Sequence, residues 1–114
     1  MTKELVYRSI ALFLLAGLCE IGGGYMLWTA IKDKQPLWLG ILGAILLGIY
    51  GVVATLQPAN FGRTYAAYGG IFVVMALFWG WVVDKSRPDL YDVTGAIIIL
   101  VGTIIIFYAP RNAI

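Results

Sequence analysis

Four runs of about twenty apolar residues, cut by short segments of charge and proline, fix most of what this chain can fold into. The first covers Ser9 to Ile31 and ends at Lys32-Asp33-Lys34-Gln35-Pro36, and the second covers Leu37 to Leu56 and ends at Gln57-Pro58-Ala59-Asn60. The third covers Thr64 to Val83 and ends at Asp84-Lys85-Ser86-Arg87-Pro88-Asp89, and the fourth runs from Tyr91 to Ala109 before Pro110 and Arg111. Each run is long enough, as a helix, to cross a hydrocarbon core of about 30 Å. Composition agrees. Only 12% of the 114 residues are charged and 61% are hydrophobic, whereas a soluble domain is about 25% charged. No ten-residue alternating pattern is present, and a membrane barrel needs at least about eight strands of that kind. The expected fold is an all-α membrane protein, a single domain over 1–114 with four transmembrane helices at about 9–31, 37–56, 64–83 and 91–109. Both termini then lie on one side.

Several function classes drop out. The net charge of +2, with no block of like charge, gives nucleic acid no footing. There is no histidine, and the single cysteine, Cys19, excludes an intrachain disulfide and a multi-cysteine metal site. With no paired carboxylates and no phosphate loop either, neither an enzyme, a metal nor a cofactor is expected. Lys3 and Arg8 ahead of an apolar run imitate a signal peptide. Glu20 interrupts that run and more apolar runs follow, so a retained helix is expected.

Glu20 is the outstanding residue. It sits in the middle of the first run, within Leu18-Cys19-Glu20-Ile21-Gly22-Gly23-Gly24-Tyr25. Acids inside membrane segments are costly and by default mark an ion, proton or substrate path. Removal from water penalises the charged form, so such a carboxyl can hold a proton or a cation but not both comfortably. The bland alternative is a neutral glutamic acid acting as a hydrogen-bonding link between helices. At 100° per residue, Phe13, Ala16, Gly17, Gly23, Gly24 and Leu27 share its face. Small residues there, Gly17, Gly23 and Gly24 among them, admit a neighbouring helix or leave room for a ligand.

The third run places Tyr65, Tyr68, Phe72 and Trp79 on one helical stripe, at spacings of 3, 4 and 7. Packing explains most such stripes, yet an aromatic wall opposite a carboxylate also suits an organic cation through cation–π attraction. Arg63, at the start of this run, reads as an interface anchor that snorkels to the headgroups, or as a gate. Trp28, Trp38, Trp81 and Tyr108 near run ends read as interface anchors. In the second run Gly40, Ala44, Gly48 and Gly51 form a small-residue seam. In the fourth, Gly95, Gly102 and Ala109 recur every seven residues, the spacing of a left-handed helix crossing, and mark a surface for self-association or for packing within one chain.

Positive side chains are balanced between the two sides. Lys3, Arg8, Arg63 and Arg111 lie on the terminus side, and Lys32, Lys34, Lys85 and Arg87 on the other. Side-chain charge therefore sets no orientation. Either a small margin decides it, or the chain inserts both ways and pairs antiparallel. No internal repeat is visible, but an antiparallel homodimer would supply the inverted symmetry that transporters use for alternating access.

Taken together, Leu18-Cys19-Glu20-Ile21-Gly22-Gly23, Gly62-Arg63-Thr64-Tyr65-Ala66-Ala67-Tyr68-Gly69-Gly70 and Val83-Asp84-Lys85-Ser86-Arg87-Pro88-Asp89, with Asp92 and Gly95, resemble the YnfA-like family of small bacterial membrane proteins. That family is related to the small multidrug resistance exporters. The resemblance runs over nearly the whole chain. It implies four transmembrane helices in the bacterial inner membrane, an antiparallel dual-topology homodimer, and proton-driven efflux of small organic cations, drug-like or guanidinium-type. The exporters' essential glutamate maps onto Glu20, while their third-helix aromatics correspond only loosely to Tyr65, Tyr68, Phe72 and Trp79. The expected ligands are protons and small organic cations, and the expected partners are the lipid bilayer and a second copy of the chain. The rival expectation is a non-transporting scaffold or accessory subunit.

Overall fold

The structure, a computed structural model, describes residues 2–111; residue 1 and residues 112–114 of the expected domain lie outside the described residues. It contains four helices: α1 Lys3–Lys32, α2 Leu37–Ala54, α3 Phe61–Val82 and α4 Leu90–Tyr108. All four are long and apolar enough to span a membrane. No strand occurs among the described residues.

The ends show why the helices differ from the expected ranges. α1 starts six residues earlier than residue 9, because Thr2 caps it by accepting a hydrogen bond from the Leu5 amide at 3.2 Å. Capping of this kind stabilises a helix by about 1 kcal/mol. Hydropathy cannot see those first turns, since Lys3, Glu4 and Arg8 are charged. At 1.5 Å per residue α1 is about 45 Å long, which carries its first turns beyond the hydrocarbon. α3 likewise begins at Phe61 rather than Thr64, with the Asn60 side chain accepting from the Arg63 amide at 2.9 Å. α4 opens on a reciprocal capping box between Asp89 and Asp92, so two acids of the charged loop are committed to a helix end. At its other end the Arg111 guanidinium donates to the Ile106 carbonyl. α2 stops at Ala54, two residues short of Leu56, and the Thr55 hydroxyl turns back onto the Val52 carbonyl.

α1 packs chiefly on α2 and α3 on α4, with a third contact between α1 and α3. A glycine sits at each of these contacts. Gly23 and Gly43 bring the α1 and α2 backbones together: a methyl group on Gly43 would lie 2.5 Å from the Gly23 carbonyl oxygen. Gly70 of α3 receives Thr103 of α4, and Gly17 of α1 receives Met75 of α3. The α2 seam differs from the expected one. Gly40 and Gly43 face α1, while Ala44 and Gly48 are exposed. The seam follows the contact with Ala30 and Gly23 rather than a strict four-residue spacing.

The buried core lies toward the terminus side. Phe13 is fully buried and meets Tyr68 and Phe107 edge to face at 4.5 and 4.9 Å, the arrangement aromatic quadrupoles favour. Beside it Ser9 donates to the Gln57 side-chain oxygen at 2.6 Å, the Gln57 amide donates to the Ser9 carbonyl at 2.9 Å, and the Ser9 and Tyr108 hydroxyls are 2.9 Å apart. This cluster joins α1, the α2–α3 turn and α4. Ile97, Ile98, Ile104 and Ile105 of α4 all remain exposed. In water so large an apolar face would be a liability; in hydrocarbon it is the ordinary state of a helix whose backbone bonds are all internal.

Candidate functional site

Away from the core, α1 and α3 separate and leave a cavity of about 580 Å³, within the usual range of ligand pockets. α1 contributes Glu20, Gly24, Tyr25 and Trp28, and α3 contributes Phe72, Ala76 and Trp79. The open space has a local cause. Gly24 leaves its side of α1 without bulk, and a methyl group there would meet nothing within 4 Å. Tyr25 and Trp79 pack against each other in the wall, ring centroids 5.5 Å apart. Asp33, at the C-terminus of α1, and Asp84, just beyond α3, form the rim. The cavity therefore runs from a half-buried carboxylate, past aromatic walls, to an opening on the side away from the termini. The Trp79 indole N–H is buried without a hydrogen-bond partner among the described residues. No cluster of three potential metal ligands occurs among the described residues.

The expected aromatic stripe is divided. Phe72 and Trp79 line the cavity with Glu20 and Gly24. Tyr68 is instead part of the core, 2% exposed, with its hydroxyl 3.5 Å from the Leu12 carbonyl oxygen. Tyr65 stacks on Phe61 at 4.2 Å near the terminus-side end of α3. Both tyrosines connect to the acid indirectly, through Tyr50 of α2: its ring is 5.3 Å from Tyr68 and 6.1 Å from Tyr65, and its side chain stands beside Glu20. Gly17 and Gly23 serve helix contacts, and only Gly24 of the three faces the cavity. Arg63 is exposed at the opposite end of α3 from the opening, where it can anchor at the interface but cannot gate this mouth. Gly95 and Gly102 are half-buried, with open space in front of them, and Ala109 caps α4. α4 presents Thr103 and Phe107 to the rest of the chain instead.

A family model described as "Uncharacterised BCR, YnfA/UPF0060 family" matches residues 6–112. The chain belongs to the YnfA/UPF0060 family. It is 53% identical over 108 residues to a UPF0060 membrane protein of Desulfitobacterium hafniense, covering 94% of this chain and all of that one. It is 54% identical over 107 residues to a UPF0060 membrane protein of Synechocystis, covering 94% of this chain and 99% of that one. A Bacillus subtilis UPF0060 membrane protein is 53% identical over 105 residues, which cover 91% of this chain and 96% of that one. No solved structure matches. With relatives named as membrane proteins and four spanning helices, the chain is a membrane protein.

Three features of this YnfA/UPF0060 protein escape a reading of the sequence. Tyr50 carries no charge and sits in an unbroken apolar run, so nothing in the sequence ties it to Glu20. Trp28 has the position of an interface anchor, yet it also lines the cavity. The third is a recurring helix end. Trp28, Asp33 and Lys34 recur as Trp79, Asp84 and Lys85 at an offset of 51 residues (28 to 79, 33 to 84, 34 to 85). Both lysines take a left-handed conformation, with φ 52° and 57°. The amide of the next residue then donates six residues back in each case, Gln35 to Thr29 at 3.3 Å and Ser86 to Gly80 at 2.9 Å. The second loop carries an extra residue before its proline and another after it (Gln35-Pro36-Leu37-Trp38 against Ser86-Arg87-Pro88-Asp89-Leu90-Tyr91), which breaks the period and hides the repeat. α1 and α3 thus end in the same left-handed lysine turn, with the cavity between them. Ile71 stands where Glu20 would recur, so only one carboxylate per chain is placed at depth.

Proposed function

We propose that this protein is a proton-coupled exporter of small organic cations in the bacterial inner membrane. The observation that carries the reading is the placement of Glu20. A carboxyl in mid-membrane opens into a cavity of about 580 Å³ walled by Phe72, Tyr25 and Trp79. Aromatic faces attract organic cations, more strongly when water is excluded, and the carboxylate supplies the countercharge. One site cannot hold both a proton and the cation, so each displaces the other. Tyr50, beside Glu20, supplies a hydroxyl that can donate to the ionised carboxylate after the proton has left and before a cation binds. Among the family features read from the sequence, the kinship with small multidrug resistance exporters supports the same assignment, and no enzymatic step is needed.

The functional unit is an antiparallel homodimer in which two Glu20 residues share a central site. Support comes from the balanced positive charges on the two sides and from the open Gly95–Gly102 stripe of α4, which leaves space for a partner helix. The reading is tested in vesicles containing the purified protein. An imposed pH gradient drives uptake of a quaternary ammonium ion against its concentration gradient, and Glu20→Gln abolishes that flux with the dimer intact. Flux that survives in Glu20→Gln would overturn the role of the acid. Single cysteines placed in a loop, in a Cys19→Ser background, report orientation. Labelling from both sides is expected, and labelling from one side alone would exclude dual insertion.

A further inference from the structure

The cavity mouth carries a second set of cation-holding groups, and its members are matched pairs. Trp28 and Trp79 come from equivalent positions of the two helix ends, as do Asp33 and Asp84, and all four line the cavity. Equivalent loop geometry holds the two aspartates: each precedes a lysine in the left-handed conformation, which ends the helix and leaves the carboxylate on the rim. The neighbouring lysines, Lys32, Lys34 and Lys85, do not line the cavity. The Trp28 ring already attracts a cation, since the Lys32 ammonium lies 5.1 Å from its centroid.

Along α1 the distance from Glu20 is about 12 Å to the level of Trp28 and about 20 Å to that of Asp33. Between Glu20 and the level of Trp28 the wall is Gly24, Tyr25, Phe72 and Ala76, with no countercharge. We infer that the paired Trp28/Trp79 and Asp33/Asp84 form an outer cation subsite, and that the cavity selects elongated dications with one charge at Glu20 and the other at the rim. This rests on the reading of Glu20 as the inner cation site. A compact monocation uses only the inner group. A dication with an apolar chain fills both charge sites and lays its chain along the aromatic wall.

The test compares binding to the full chain in lipid nanodiscs of three probes: the ten-carbon and six-carbon bis(trimethylammonium) alkanes, and tetrapropylammonium. The ten-carbon dication reaches from Glu20 to the rim and the six-carbon one does not. The wild type is expected to hold the ten-carbon dication about tenfold more tightly than either other probe, about 1.4 kcal/mol. In Asp33→Asn/Asp84→Asn this ratio falls to near one, and in Trp28→Leu it falls by a smaller factor. Equal affinity for the two dications, or a ratio that survives the double Asn variant, would overturn the outer subsite. If tetrapropylammonium binds and Glu20→Gln abolishes that binding, while the wild type shows no chain-length preference, the inner site stands and the outer one falls. If no probe binds the wild type, both fall.

Discussion

The two ends of the α1–α3 pair use the same two helices in opposite ways. At the terminus end Phe13, Tyr68 and Phe107 interlock edge to face, and Ser9, Gln57 and Tyr108 bond one another across three elements. At the other end the helices part around Glu20, and the same stripe of α3 that supplied Tyr68 to the core supplies Phe72 and Trp79 to a cavity. Depth along one helix thus decides whether an aromatic packs or stays available. The closed end is where stability is concentrated, and the open end is where a ligand can enter without breaking it.

That contrast can be broken first at the closed end. Phe13→Ala is expected to cost about 3 kcal/mol, near the low end for a buried phenylalanine because lipid rather than water surrounds the bundle. Reversible unfolding in mixed detergent micelles reads this, and a cost below about 1 kcal/mol would mean the aromatic core is not the anchor. Next comes Gly43→Ala, at about 2 kcal/mol. The obstacle to its new methyl is the Gly23 carbonyl at 2.5 Å, which is backbone and cannot step aside. Gln57→Leu follows at about 1.5 kcal/mol, because the hydroxyl and the carbonyl of the buried Ser9 each lose a partner. The smallest effects belong to groups that can give or that line the cavity rather than the core. Gly17→Ala meets only the flexible end of Met75 and should cost under about 1 kcal/mol. Trp79→Ala should leave unfolding equally little changed while weakening tetrapropylammonium binding about tenfold, worth about 1.4 kcal/mol. A Trp79→Ala protein that unfolds readily would place the tryptophan with the core instead.

Much of this contrast was legible before any coordinates. Proline and charge cut the spans at Pro36, Pro88 and Pro110, and a lone carboxylate in an apolar run singled out Glu20. Spacing placed Tyr65, Tyr68, Phe72 and Trp79 on one stripe, but spacing carries no information on how far apart two helices are at each level. That separation depends on Gly23 meeting Gly43 and on Met75 seating in Gly17, contacts between residues far apart in sequence. Tyr50 stayed hidden for the same reason, since its relation to Glu20 exists only once α2 lies against α1. The repeat of Trp28-Asp33-Lys34 in Trp79-Asp84-Lys85 became visible through backbone conformation, because the extra loop residues disguise it in the sequence.

The central claim is that one carboxyl, Glu20, exchanges a proton for an organic cation. It is tested most directly by adding tetrapropylammonium to the purified protein in weakly buffered solution and measuring proton release. Release is expected from the wild type, at most one proton per Glu20, fading as rising pH leaves the carboxyl already ionised, with none from Glu20→Gln. Binding to the wild type without proton release, or equal release from Glu20→Gln, would contradict it.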